Sequence, residues 1–365
     1  RESLAETITL GRKLAASVDP KSESAEEVAA SDQLASALLR RGVCEERLKQ
    51  PVESVLSFVE ALEVLQRIKD PARRSEVLAT SATTAVEADA FAIGDRAFQE
   101  ARRLYEQAGK ADSDQQLVID YTQGLGKHGQ AEAALRILGA EEIKARAADD
   151  AGWEARMALL AASLAESAGD VEPAVAAFQR AAAAFETVGL DPNAAGSLLR
   201  AALLLSGHGK PLESAEIYRD VLRRLDAIDA RLPLRNQWYQ SAFEGLIETL
   251  EAAADVPGLS DDDRSALLTD ALRTAETYEE RVKELVRYRS ERPAFETQLD
   301  RVTLLRKLGR QDESDALLRS VREKSAKLGM GMAREWFRFK MPLEHPVLRE
   351  KTRRQLGRFL VFFET

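Results

Sequence analysis

The strongest constraint on this chain is a spacing. Gly129, Gly169 and Gly209 stand 40 residues apart, and each opens the same pattern at offsets five, nine and twelve. From Gly169 the offsets reach Ala174, Phe178 and Ala181; from Gly209 they reach Ser214, Tyr218 and Val221; from Gly129, Ala134, Leu138 and Glu141. In the same phase Asp89 leads to Gly94, Phe98 and Ala101, and Lys49 leads to Ser54, Phe58 and Ala61. Gly309 opens a further copy with Ser314, Leu318 and Val321. Those offsets return to one face of an α-helix, because residues three and four apart are neighbours on its surface. A period of this length marks a repeat architecture, in which each unit hides its apolar face only by stacking on the next. The spacing therefore predicts an all-α solenoid of antiparallel helix pairs.

Composition fits that expectation. Aromatic residues are 6% of the chain and alanine runs such as Ala181 to Ala184 are frequent, which suits closely packed helices and argues against sheets. Hydrophobic residues at 45% and charged residues at 31% describe a chain that can bury a large core. The net charge of -9 gives no overall electrostatic footprint for a nucleic acid. The charge is uneven, since Met330 to Thr365 holds eight Lys or Arg against four Asp or Glu. One cysteine, Cys44, excludes an internal disulfide, and no apolar run approaches membrane-spanning length. A cytoplasmic location is expected. Because the sequence opens on Arg1, a piece of a longer protein is also expected.

Along the chain, residues 1–30 read as a leading helix that caps the array, with Leu4, Ile8 and Leu14 among helix formers. Residues 31–328 read as the array. Turn chemistry divides it into pairs at Gly109, Gly129, Gly152, Gly169, Gly189 with Pro192, and Gly207 with Gly209. The rhythm is irregular over 233–273, where the interval from Gly209 to Gly309 is two periods plus about half a unit, an excess that reads as a longer loop or an extended helix starting at Ser260, between Ala254 and Arg273. Residues 329–365, with Trp336, Phe359 and Phe363, read as a C-terminal capping segment.

The repeated glycine, small residue, aromatic and small residue pattern resembles the second half of a tetratricopeptide repeat (TPR), most closely at Gly169 to Ala181 and Gly209 to Val221. It departs from that family in its 40-residue unit, longer than the family's own, and in first helices that match poorly, with Gly42 the one glycine at the usual small-residue position. The resemblance implies a right-handed superhelix whose concave groove is lined by first helices. In the family's register the groove presents Gln116, Asp120 and Gln123, then Arg156, Leu160 and Ser163, then Leu199, Arg200 and Leu203, then Asn236, Tyr239, Gln240 and Phe243, with Trp238 as an added ligand platform. Such a surface holds an extended peptide or a partner helix. The lysine and asparagine pattern of the family's carboxylate clamp is missing at these positions.

Residues that carry chemistry are sparse. His128 and His208 each precede a turn glycine, where an imidazole suits a helix C-terminus, and neither has ligands at metal spacing. Gly124 to Gly129 lacks the phosphate-loop spacing and falls on a repeat turn. Cys44 reads as a packing residue. The acidic run Asp261 to Asp263 reads as a capped helix start, with Ser260 or Asp261 as the cap. The leading expectation is a non-catalytic scaffold or sensor that binds a protein or peptide, with no cofactor and no metal. The alternative is a regulatory region of a larger NTPase, kinase or protease. Nucleic-acid binding through the basic tail ranks third.

Overall fold

The computed structural model describes residues 25–228, 233–285 and 292–328, with positions 6, 8, 9 and 13. The expected leading helix thus lies largely, and the expected C-terminal cap wholly, outside the described residues. Among the described residues there are fourteen α-helices and no strand. They are α1 (Ala25–Arg47), α2 (Pro51–Leu65), α3 (Pro71–Glu87), α4 (Phe91–Gln107), α5 (Ala111–Lys127), α6 (Ala131–Ala147), α7 (Ala151–Ala168), α8 (Val171–Thr187), α9 (Asp191–Gly207), α10 (Pro211–Ala227), α11 (Pro233–Ala254), α12 (Asp261–Leu285), α13 (Arg292–Lys307) and α14 (Gln311–Leu328). The chain divides into two compact units, residues 1–144 and 145–365.

Most joints between helices are one motif repeated. Lys49, Asp89, Gly109, Gly129, Asp149, Gly169, Gly189, Gly209 and Gly309 all have φ between 55° and 84°. The amide of the next residue reaches back to the carbonyl five residues earlier: Lys110 to Tyr105 at 2.9 Å, Gln130 to Leu125 at 2.8 Å, Asp170 to Ala165 at 2.9 Å and Lys210 to Leu205 at 3.1 Å. This closure satisfies carbonyls that the last helical turn leaves without partners, and it demands a left-handed residue. The joint after α2 is built differently. There Asp70 caps α3, its Oδ1 accepting from the Ala72 amide at 2.9 Å, with Pro71 at the first helical position.

A prediction follows from the joints. Gly169→Ala, at φ 84°, should lower stability by about 1–2 kcal/mol, whereas Asp149→Gly, at φ 55°, should raise it by about 0.5–1 kcal/mol. Chemical denaturation of the two variants checks both signs.

The repeated offsets are the buried face of the second helices. Phe58, Phe98, Leu138, Phe178, Tyr218 and Leu318 are all buried, as are the small residues four before them and the residues three after them in sequence register. Ser214 and Ser314 use this position alike, each hydroxyl donating to a first-helix carbonyl, Ala202 at 2.8 Å and Val302 at 3.2 Å. Opposite them the first helices carry a column of small residues in the 40-residue register: Gly42, Ala82, Thr122, Ala162, Ala202 and Ala242, every one buried. Small side chains let the backbones approach where helices cross. Gly42 and Gly245 mark the closest approaches, because a Cβ at Gly42 would overlap Ile93 and one at Gly245 would overlap the Tyr218 ring.

Glu141 is a carboxylate at a register position that is otherwise small. Arg102 of α4 accounts for it. Its guanidinium donates to both Asp114 oxygens of α5, at 2.7 and 2.8 Å, and to Glu141 Oε1 of α6 at 2.8 Å. Burial opposes the guanidinium's charge, but these hydrogen bonds outweigh it and raise its pKa. The same guanidinium lies over the Phe98 ring, 5.6 Å from its centroid, and Phe98 stacks on Tyr121 at 4.3 Å. One side chain thus ties three consecutive helices.

The section that reads as irregular contains two long helices. The left-handed glycine between α11 and α12 is Gly258, 49 residues after Gly209 and 51 before Gly309. Each interval holds one second helix and one first helix, so the excess extends helices, one of the two expected forms, and adds no further helix. The units are lengthened instead, with 22 residues in α11 and 25 in α12. Ser260 caps α12 as expected, its Oγ accepting from the Asp263 amide at 3.1 Å and donating to the Asp263 carboxylate at 2.6 Å.

Candidate functional site

In the first unit, a cleft of about 290 Å³ lies between α1 and α3, walled by Asp32, Ser36, Arg40, Glu76, Thr80 and Thr84. Ser36 and Arg40 stand 40 residues before Glu76 and Thr80, and these stand 40 before Gln116 and Asp120. The cleft therefore opens on the same register that the resemblance assigns to a groove, in two helices that the sequence reading left out. Extending the phase backward along the first helices, as along the second, identifies it.

The polarity of the cleft is built by the helices themselves. The Thr80 hydroxyl donates to Glu76 O at 3.0 Å, Ser81 to Val77 O at 2.8 Å and Thr84 to Thr80 O at 2.8 Å. Each hydroxyl proton is committed to its own helix, which leaves oxygen lone pairs free to accept. Asp32 pairs with Arg73 through Oδ2 at 2.6 Å, and its Oδ1 is buried with no hydrogen-bond partner. Arg40 is exposed on the same α1 wall as Asp32, facing the hydroxyls of α3. The cleft thus offers several acceptors and one guanidinium donor.

The residues expected in the groove fall into two groups. Gln116, Asp120 and Gln123 are exposed on one face of α5, where Gln116 Nε2 donates to Asp120 Oδ1 at 2.8 Å. In the second unit Arg156 is exposed on α7, with Leu160 and Ser163 half-buried beside it. Arg200 is exposed on α9, pairs with Glu166 of α7 and lies 5.1 Å from the centroid of the Phe178 ring. Leu203 is 44% exposed.

The others are core. Leu199, Tyr239 and Phe243 are buried rather than presented. For Phe243 and Tyr239 the extra turns of α12 are the reason: they carry Tyr278 over Phe243, ring centroids 5.0 Å apart, and Phe243 in turn stacks on Tyr239 at 5.5 Å, whereas Leu199 of α9 belongs to the core cluster. Burial, with a hydrogen bond to Asp226, pushes the Tyr239 hydroxyl up to about 12. Trp238 is half-buried, packing on this core and on the bare backbone of Gly196, so it is not a free platform. Gln240 is half-buried and donates to Glu244 at 3.1 Å. Asn236 is half-buried with its Oδ1 unpartnered.

The remaining candidates are structural. His128 and His208 occupy C-cap positions of α5 and α9. His128 Nδ1 lies 2.9 Å from Asp89 Oδ1, and His208 Nδ1 donates to Leu204 O at 2.8 Å. Gly124 to Lys127 are helical, the end of α5. Cys44 is exposed, not packed as the sequence suggested. Among the described residues no group of three or more His, Cys, Asp or Glu side chains is placed to hold a metal, and no helix is long and apolar enough to cross a membrane.

The architecture rests on two columns in one 40-residue register, buried small residues on first helices and buried large ones on second helices, joined by the same left-handed turn. The fold is TPR-like. No protein-family model matches this TPR-like chain, and no curated protein sequence matches it. Solved structures of helical arrays resemble it. The TPR-like repeats of a Podospora anserina kinesin light chain are 17% identical, cover 60% of this chain and 97% of their own, and have a TM-score of 0.39. A signal transduction ATPase with a tetratricopeptide repeat sensor from Pyrococcus horikoshii is 13% identical, over 90% of this chain and 46% of that one, with a TM-score of 0.43. A Rap protein complexed with competence and sporulation factor is 18% identical, over 77% of each chain, with a TM-score of 0.34. The likeness stops at the architecture and carries no residue's role into this TPR-like array.

Proposed function

We propose that this chain is a non-catalytic binding module that takes a peptide or partner segment along its first helices, with the cleft between α1 and α3 as one docking point. A single observation carries the reading: the cleft opens where Ser36, Arg40, Glu76 and Thr80 share the register of Gln116 and Asp120. Its acceptor-rich wall suits the amide donors of a segment lying across the helices, and Arg40 suits a carbonyl or carboxylate. Cytoplasmic binding of a protein partner, without cofactor, is the form of this proposal.

The test is selection of peptides from a random phage-displayed library against the chain, followed by measurement of their affinity for Thr80→Trp. Thr80 is exposed, so the indole fills the cleft without disturbing the core. Circular dichroism controls for folding. The expected result is a loss of affinity of about tenfold or more, equivalent to about 1.4 kcal/mol. Equal binding by a folded Thr80→Trp variant would remove the cleft from the binding surface.

A further inference from the structure

The outward face of α2 departs from the rest of the array. Val52, Leu56 and Val59 are 66%, 63% and 45% exposed, and Leu48, one turn earlier, is 48% exposed. Val52, Leu56 and Val59 form a stripe at helical spacing, and Leu48 stands in the turn before α2. At the corresponding positions of α4 stand Ala92, Arg96 and Gln99, and in α8 stand Glu172, Ala176 and Gln179. In α10 they are Leu212, Glu216 and Arg219. Apart from Leu212, solvent-facing positions that are polar or small in these helices are thus branched and apolar in α2, and α2 alone of them carries all three. Repeat packing does not account for this, because the core face of α2 is the separate arc of Ser54, Ser57, Phe58, Ala61, Val64 and Leu65. Contiguous exposed apolar surface of this kind marks a docking site.

The rim indicates what docks. Glu53 and Glu60 follow one edge of the stripe and Glu63 closes its C-terminal end, with Lys49 at the other end. A second copy of α2 laid antiparallel on the first would set these glutamates against one another, and three helical side chains with one from the turn bury far less than the 1,200 Å² or so that a stable pair requires. We propose that this face of α2 binds a basic amphipathic helix from another protein. Its apolar residues would cover Val52, Leu56 and Val59, and its lysines or arginines would meet Glu53 and Glu63. The site is independent of the cleft between α1 and α3.

The experiment uses the full chain and a fluorescein-labelled synthetic peptide of leucine and lysine, about 16 residues long, with leucines at helical spacing i, i+4, i+7 and i+11. Anisotropy is measured for the wild type, Leu56→Glu and Gln99→Glu. Both substitutions change the charge by the same amount, so general attraction between an acidic chain and a basic peptide strengthens equally in both. Docking on the stripe predicts at least a tenfold loss for Leu56→Glu and no loss for Gln99→Glu. Val59→Glu repeats the test should Leu56→Glu misfold. Absence of wild-type binding, or equal binding by all three proteins, overturns the proposal. So does sedimentation as a dimer that Leu56→Glu dissociates, since the face would then belong to a second copy.

Discussion

Gly245→Val should cost the fold about 2–3 kcal/mol, the expected penalty for forcing carbon into a filled core. A Cβ on Gly245 of α11 would overlap the Tyr218 ring of α10, and neither side can yield. Tyr218 is 1% exposed and sits in the cluster that runs through Ala215, Val221 and Leu246. Burial raises the pKa of its hydroxyl, the mark of a phenol held away from water. Urea denaturation measures the loss as a fall in midpoint at constant slope. The double variant Tyr218→Leu with Gly245→Ala should lose less than its two single changes together, because shortening the ring clears the space that the new methyl needs. Simple additivity would show that the collision is relieved by backbone movement instead.

Arg102→Met should cost about 3 kcal/mol, by a different mechanism. Methionine fills much of the same volume, but it leaves the Asp114 and Glu141 carboxylates with no cation between them. Their side chains are only 20% and 9% exposed, so solvent replaces little of what the guanidinium supplied. Glu141→Gln placed in the Arg102→Met background should restore part of the loss, because an uncharged amide is cheaper to keep buried than an unpaired carboxylate. Thermal unfolding of the single and double variants checks the order. No recovery in the double variant would mean that the packing of Arg102 on Phe98, rather than its charge, dominates.

The fold was legible because the 40-residue phase is written twice, once at the turns and once on the buried face. Gly129, Gly169 and Gly209 announce left-handed joints directly. Lys49, Asp89 and Asp149 adopt the same conformation with a side chain attached, so only their phase betrays them. The first helices hid their register because, Gly42 apart, the small residues there are alanine or threonine, which carry no local signal in a chain rich in alanine. Length was the harder quantity. Nothing in residues 233–273 says whether added residues form a loop or extend a helix until Tyr278 is seen stacked on Phe243. That uncertainty spread to the site. Phases derived from α5, α7 and α9 placed Gln116, Asp120, Gln123, Arg156 and Arg200 on exposed surface, yet the same phase in α11 landed on Phe243 in the core. Exposure depends on what a neighbouring helix covers, and periodicity within one helix does not encode it.

The joints also govern which changes in length the chain can absorb. Seven of the helices have 17 residues and successive left-handed residues stand 20 apart from Asp89 to Gly209. One residue inserted within a helix rotates everything after it by about 100° and moves the small-residue column off its crossing. Removal of 20 residues would restore the angle but exchange first helices for second ones, whereas removal of 40 would leave both columns aligned. Gene duplication or loss in this chain is thus expected to proceed by whole pairs. The exception is instructive: α11 and α12 are both long, as two antiparallel partners must be if neither is to project past the other.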